Sequence, residues 1–170
     1  MKKSNVILIG YMGSGKTTFG KKLAKALNYS FVDTDKKIEE TFNTTITELF
    51  EKLGEEKFRE LESLFIQSFV SQQTVLATGG GLPCFNNNIE ALKEKGVVVF
   101  LDRPAKELAN RLKNAKTNRP IIANKTDDEL LSFIEKQLKE RLPFYEKAHL
   151  IVDRNAQDVK SVCEKLSAIS

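Results

Sequence analysis

The chain has 170 residues, 41% of them apolar and 29% charged, with a formal net charge of +4. That length supports one domain with a substantial core, and the composition is that of an ordinary globular protein. The charge suits small anionic ligands but is too weak to argue for nucleic acid, and no apolar run approaches the roughly 18–20 residues a membrane helix needs.

Met1 to Asn5 leads straight into the first strand, without the apolar stretch and cleavage site of a signal peptide. Cys84 and Cys163 lie far apart without metal-ligand spacing, so a reduced, cytoplasmic setting is expected, with no membrane or nucleic-acid partner. Cys163 falls on the apolar face of a helix and reads as core.

Val6–Ile9 is apolar and β-branched, the pattern of a buried strand, and residues 18–28 read as a helix with Phe19, Leu23, Ala26 and Leu27 on one face. Between them stands Gly10-Tyr11-Met12-Gly13-Ser14-Gly15-Lys16-Thr17, which fits the phosphate-loop pattern. Glycines let successive N–H groups turn toward one point, and the following helix adds partial positive charge there. Gly13, Ser14, Gly15 and Thr18 would cradle the phosphates of a nucleoside triphosphate such as ATP. Lys16 would reach the β- and γ-phosphates, and Thr17 would hold Mg²⁺.

The second strand, residues 29–32, ends in Asp33-Thr34-Asp35. Ligands of parallel α/β sheets gather at the carboxyl ends of strands, so two acids there suit a metal-bound water (Asp33) and an acceptor hydroxyl (Asp35). Helix capping competes for the same residues, and one of the two is expected to cap. Residues 45–71 read as two helices around Gly54. Arg59, flanked by Glu55 and Glu62, fits either an exposed ion-pair ladder or a fork for a substrate carboxylate, and on spacing alone the ladder is favoured.

The third strand, Thr74–Ala77, is followed by Gly79-Gly80-Gly81, where backbone can approach a ligand closely. A short helix over residues 89–95 leads to a fourth strand, 97–101, apolar throughout, and a helix over 105–115 carries Arg111. Lys113 to Asn118 is polar and leads to Arg119-Pro120, the composition of a flap. Arg119 would neutralise charge during transfer, or is simply a loop arginine. Asn124-Lys125-Thr126-Asp127 matches a guanine-reading pattern, but no strand of adequate length precedes it. Thr126 with Glu129 makes a capping box, which is the better account. The helix that follows carries Arg141 and is expected to end or kink at Pro143. His149, the only histidine, borders the fifth strand (150–152) and reads as structural. Asp153-Arg154-Asn155 opens onto a last amphipathic helix.

In order, these residues resemble the shikimate kinase family along nearly the whole chain. They are Gly10 to Thr17, Asp33 with Asp35, Phe58-Arg59 with Glu62, the glycines 79–81, Arg119-Pro120, and Arg141 with Tyr145. The resemblance implies a three-layer α/β/α fold of the phosphate-loop type, with a five-stranded parallel sheet in the order 2-3-1-4-5. It further implies a core of about residues 1–32, 74–112 and 142–170, an acceptor-binding helical region at 33–73 and a lid at 113–124. The activity it implies is transfer of the ATP γ-phosphoryl to the 3-hydroxyl of shikimate, with Mg²⁺, in a monomer. Asp35 would hold the hydroxyl, Arg59 and Arg141 the carboxylate, and Gly79, Gly80 and Gly81 the ring. Asp33 would support the metal through water, and Arg111 and Arg154 would lie near adenine. Pro120-Ile121 departs mildly from the family's usual Pro-Leu, which touches lid packing alone. Kinases of gluconate or a nucleoside monophosphate, and a GTPase-like switch, are the competing readings.

Overall fold

Successive side chains of a strand point to opposite faces, so a strand apolar throughout needs cover on both sides. The first strand, β1 (Asn5–Ile9), shows this parity directly. Val6 and Leu8 pack on one face with Leu23, Ala24, Val162 and Leu166. Ile7 and Ile9 pack on the other with Ile66, Leu92, Leu108 and Ile134. The strand is therefore the middle of a three-layer sandwich.

The computed structural model describes residues 5–115 and 122–169. Strands β1, β2 (Ser30–Asp33), β3 (Thr74–Ala77), β4 (Gly96–Leu101) and β5 (Leu150–Val152) form a five-stranded parallel sheet in the order β2-β3-β1-β4-β5. Helices α1 (Lys16–Leu27) and α7 (Val159–Ile169) cover one face. The end of α3 (Ile46–Ser68), with α4 (Asn88–Lys95), α5 (Ala105–Lys113) and α6 (Asp127–Tyr145), covers the other. A satellite core of Ile38, Leu49 and Phe58 joins α2 (Thr34–Phe42) to α3 beyond the sheet edge.

The expected elements are present, with shifted ends. Helix α1 starts at Lys16 rather than Thr18, because Gly15 at φ 94° is its cap and the loop passes directly into the first turn. Gly54, at φ 78° and ψ 167°, breaks α3 into the two anticipated helices. Pro143 does not end α6, which runs on to Tyr145. Proline forfeits one backbone bond, a small loss two residues from a helix end. His149 is structural as expected: its Nδ1 accepts the Val98 N–H at 3.0 Å. Cys163 is half-buried against the α1/α7 core.

Candidate active site

The connection from β1 to α1 is an anion cradle with its outward-facing carbonyls tied down. Lys16, though charged, is buried, and its Nζ donates to Gly10 O at 2.7 Å and Tyr11 O at 2.9 Å. Arg111 Nε donates to Gly13 O at 2.7 Å, and Arg103 Nε to Ser14 O at 2.8 Å. The first turn of α1 holds no acidic residue. Its positive end is therefore not neutralised from within and favours an incoming anion.

Across from the loop, Asp33 does two jobs with its two oxygens. Oδ1 caps α2 by accepting from the N–H groups of Asp35 and Lys36, and Oδ2 accepts from Thr17 Oγ1 at 2.8 Å. So the capping role falls to Asp33, and Asp35 enters the first turn of α2 as an acid. The hydroxyl and carboxylate of Thr17 and Asp33 are hard oxygens of the kind Mg²⁺ takes alongside phosphate and water. Among the described residues no cluster of three or more His, Cys, Asp or Glu side chains exists.

The Gly79–Gly81 turn after β3 acts as a ruler along the second half of the site. A Cβ on Gly79 would lie 2.8 Å from Asp35 Oδ1 and 3.3 Å from Glu62 Oε1. One on Gly80 would lie 3.5 Å from an Arg141 terminal nitrogen, and one on Gly81 2.6 Å from an Arg59 terminal nitrogen. A side chain at Gly79 or Gly81 would displace the charged group it faces, and one at Gly80 would press on the Met12 backbone nitrogen at 3.1 Å. Gly79 N–H donates to Thr34 Oγ1 and Tyr145 Oη donates to Gly80 O, which fix the turn against α2 and α6.

Arg59 is not on an exposed ladder. Its side chain is 11% exposed and its terminal nitrogen donates to Glu62 at 2.8 Å, where Glu62 is 2% exposed. Its guanidinium stands 4.2 Å from the centre of the Phe85 ring, and that of Arg141 stands 5.3 Å from the Tyr11 ring. Arg59 Nε is buried without a hydrogen-bond partner among the described residues. Such an orphan donor is uncommon in a folded chain and marks a place where a ligand would supply the acceptor. Burial pushes the Glu62 carboxyl up to about 7, outweighing the opposing pull of Arg59. Burial likewise pushes the Cys84 thiol up to about 11, which keeps it unreactive at the pocket wall.

A cavity of about 220 Å³ runs from the phosphate loop to Asp35 and the glycine turn, lined by Met12, Gly13, Lys16, Thr17, Asp33 and Asp35, together with Gly15, Thr18, Thr78, Gly79, Gly80 and Arg111, while Arg59, Gly81 and Arg141 lie outside its lining. A larger hollow of about 880 Å³ opens at the amino-terminal edge of the sheet near Asn5, Lys95 and His149, away from the loop. Arg154 lies outside the smaller cavity, paired through Nε with Glu107 at 2.7 Å. Arg119 lies outside the described residues. Sequence reasoning treated Glu62 as half of an exposed ladder and passed over Arg103. The available signal for Arg103 was its place just past the carboxyl end of β4.

A glycine loop at the carboxyl edge of a parallel sheet of this order, opening into a cavity with acids and arginines beyond it, defines a phosphate-loop nucleotide-binding protein of the small-kinase type. The family model for shikimate kinase matches residues 12–169. A shikimate kinase of Bacteroides fragilis is 48% identical over 147 residues, which is 86% of this chain and 82% of that protein. The 1.7 Å crystal structure of shikimate kinase from Bacteroides thetaiotaomicron superposes with a TM-score of 0.88 at 41% identity, covering 98% of this chain and 97% of that one. Shikimate kinase from Acinetobacter baumannii, solved in complex with shikimate, gives a TM-score of 0.83 at 35% identity, covering 98% and 92%. The chain belongs to the shikimate kinase family, whose members are ATP-dependent phosphotransferases.

Proposed function

We propose that this enzyme transfers the γ-phosphoryl group of ATP to the 3-hydroxyl of shikimate, giving shikimate 3-phosphate and ADP. The observation that carries the acceptor assignment is the convergence along one glycine turn of Arg59's terminal nitrogens at Gly81, an Arg141 terminal nitrogen at Gly80 and Asp35 Oδ1 at Gly79, with Arg59 Nε buried and without a partner among the described residues. A small carboxylate-bearing triol matches that array. Two guanidinium forks grip the carboxylate, the bare glycine turn lets the ring lie flat, and Asp35 accepts a hydrogen bond from the reacting hydroxyl. Gluconate is also a small carboxylated polyol, so family membership, at 48% identity to a shikimate kinase, favours shikimate over it, and a nucleoside monophosphate offers a phosphate instead of a carboxylate to the forks.

Phosphoryl transfer asks mainly for positioning and charge neutralisation. Gly13, Gly15 and Thr18 would present backbone N–H groups to the phosphates and Ser14 its hydroxyl, the Ser14 N–H donating to Tyr11 O at 3.1 Å within the loop. Lys16 exchanges its loop carbonyls for phosphate oxygens. Thr17 would hold Mg²⁺ directly and Asp33 through water, and the ion would neutralise charge on the β- and γ-oxygens. Arg111 and Arg154 approach the nucleotide from the α5 and β5 side, and Arg119 belongs to the lid at residues 113–124. Residues 33–73 form the acceptor-binding region, and residues 1–32, 74–112 and 142–170 the core. No helix among the described residues is long and apolar enough to cross a membrane. We expect a cytoplasmic monomer.

The test is ADP release from Mg·ATP with shikimate, run beside gluconate, AMP and no acceptor. Release dependent on shikimate alone is expected. Release with AMP instead would keep the phosphate loop and discard the carboxylate forks, and release with gluconate instead would discard shikimate as the acceptor.

A further inference from the structure

Arg103, Glu107 and Arg111 recur at four-residue intervals, a spacing that sets side chains along one face of a helix. Helix α5 begins at Ala105, so Arg103 stands just before it and the stripe faces the phosphate loop. The two arginines do the same thing to adjacent carbonyls. Arg111 Nε holds Gly13 O and Arg103 Nε holds Ser14 O. Their terminal nitrogens then converge: a Cβ on Gly15 would lie 3.3 Å from that of Arg111 and 3.9 Å from that of Arg103. Glu107 sits behind them. One of its oxygens accepts from Arg103, and the other from Arg154 Nε at 2.7 Å. Arg103 and Glu107 are 16% and 19% exposed, whereas Arg154 is 61% exposed.

This arrangement follows from what an anion cradle requires. Loop N–H groups that turn inward force carbonyls outward, and each buried carbonyl needs a donor. Lys16 satisfies Gly10 O and Tyr11 O only while no phosphate claims its ammonium. The arginine contacts are made by Nε, which leaves the Nη2 groups of Arg111 and Arg103 facing Gly15, while Arg103 Nη1 is held by Glu107.

We propose that Arg103 is a positioning residue for the nucleotide: it locks the Ser14 carbonyl so that the loop keeps its anion-binding shape, and through Glu107 it couples that shape to Arg154. The proposal rests on the nucleotide half of the kinase reading and is independent of the acceptor. Glu107 is then a strut between two arginines rather than a surface acid.

The experiment measures ADP affinity calorimetrically for Arg103→Met, Arg103→Lys, Arg154→Gln and the Arg103→Met/Arg154→Gln pair, with shikimate affinity and melting temperature alongside. A charge-assisted hydrogen bond of this kind corresponds to about a tenfold loss or more. Arg103→Met should weaken ADP by about tenfold and leave shikimate affinity within twofold. Arg103→Lys should not restore it, because an ammonium cannot hold Ser14 O and Glu107 in the same fork. The double variant should lose less than the product of the two singles, since both act through Glu107. ADP affinity within twofold of wild type in Arg103→Met, equal weakening of both ligands with a lowered melting temperature, or additive loss in the pair would each overturn it. If the shikimate assignment itself is wrong, the wild-type enzyme shows no shikimate-dependent turnover while the ADP comparison still reads out.

Discussion

The phosphate half of the site is made of consecutive backbone, residues 10–17, whereas the acceptor half is made of side chains brought from α2, α3, the glycine turn and α6. The first half has its shape written into one loop and is supported from behind by arginines on carbonyls. The second has no continuous segment. Asp35, Glu62, Arg141 and Arg59 meet only because three glycines leave them room. A change in the first half should therefore affect nucleotide and chemistry together. A change in the second should separate acceptor binding from nucleotide binding.

The largest expected effects test that division. Asp35→Asn should lower kcat by about 10²–10⁴-fold with ADP affinity unchanged, because it replaces the charged, basic acceptor of the hydroxyl by a neutral amide without touching the loop. Lys16→Met should lower kcat by about 10²–10³-fold and weaken ATP as well. Steady-state kinetics with independent ADP binding reads both. An Asp35→Asn enzyme within tenfold of wild type would dissolve the comparison.

The buried Arg59–Glu62 pair gives the next effect. Arg59→Ala removes the guanidinium against the buried Glu62 carboxyl, which then holds its proton still more tightly, so the loss is about 1–3 kcal/mol. Arg59→Ala/Glu62→Gln should recover most of the stability while the shikimate KM stays high, which separates folding from recognition. The same pair sets a pH dependence. The Glu62 carboxyl is raised from 4.5 to about 7 in the folded chain, so the folded state holds its proton more tightly than the unfolded state. Its contribution to stability is complete below pH 4.5 and is lost as pH rises through about 7. The total is on the order of 3 kcal/mol. Thermal unfolding between pH 5 and 8 should show that slope in wild type and a flatter one in Glu62→Gln. Parallel slopes would place the titration elsewhere.

How far the sequence could be read follows the same division. Strand, loop and helix around Lys16 were legible because the motif is contiguous and each residue acts through local geometry. Strand β3 and the break at Gly54 were legible for the same reason. Asp33 and Asp35 were recognised together, but which one caps depends on the direction in which β2 enters α2. Arg59 was misjudged on spacing alone. Its Glu55 and Glu62 neighbours look identical at three and four residues' distance, yet Glu62 is buried and Glu55 is 56% exposed. Glu62 lies on the inward row of α3 with Phe58 and Ile66, four residues to either side, whereas Glu55 does not. Arg103 escaped because its partner is a backbone carbonyl in β1–α1, and a main-chain acceptor leaves no trace in a sequence pattern.

The smallest effect concerns a segment whose sequence pointed two ways. Asn124 to Asp127 matches a guanine-reading motif, and that function needs its lysine and aspartate to face a base. Here Lys125 stands 4.8 Å from the centre of the Phe133 ring and Asp127 pairs with Lys113 at 2.6 Å. Thr126 and Glu129 close a reciprocal capping box at the start of α6, with Glu129 N–H donating to Thr126 Oγ1 at 3.2 Å and Thr126 N–H to Glu129 at 2.9 Å. Those residues are thus occupied in starting the helix that delivers Arg141. Thr126→Ala should cost about 1 kcal/mol in chemical denaturation. Asp127→Asn should leave the ratio of ATP to GTP turnover unchanged, since the carboxylate contacts α5 and no base. A shift of that ratio toward ATP in Asp127→Asn would mean the motif reads guanine after all. The loop and the acceptor pocket would then have to be reconsidered as parts of a nucleotide switch.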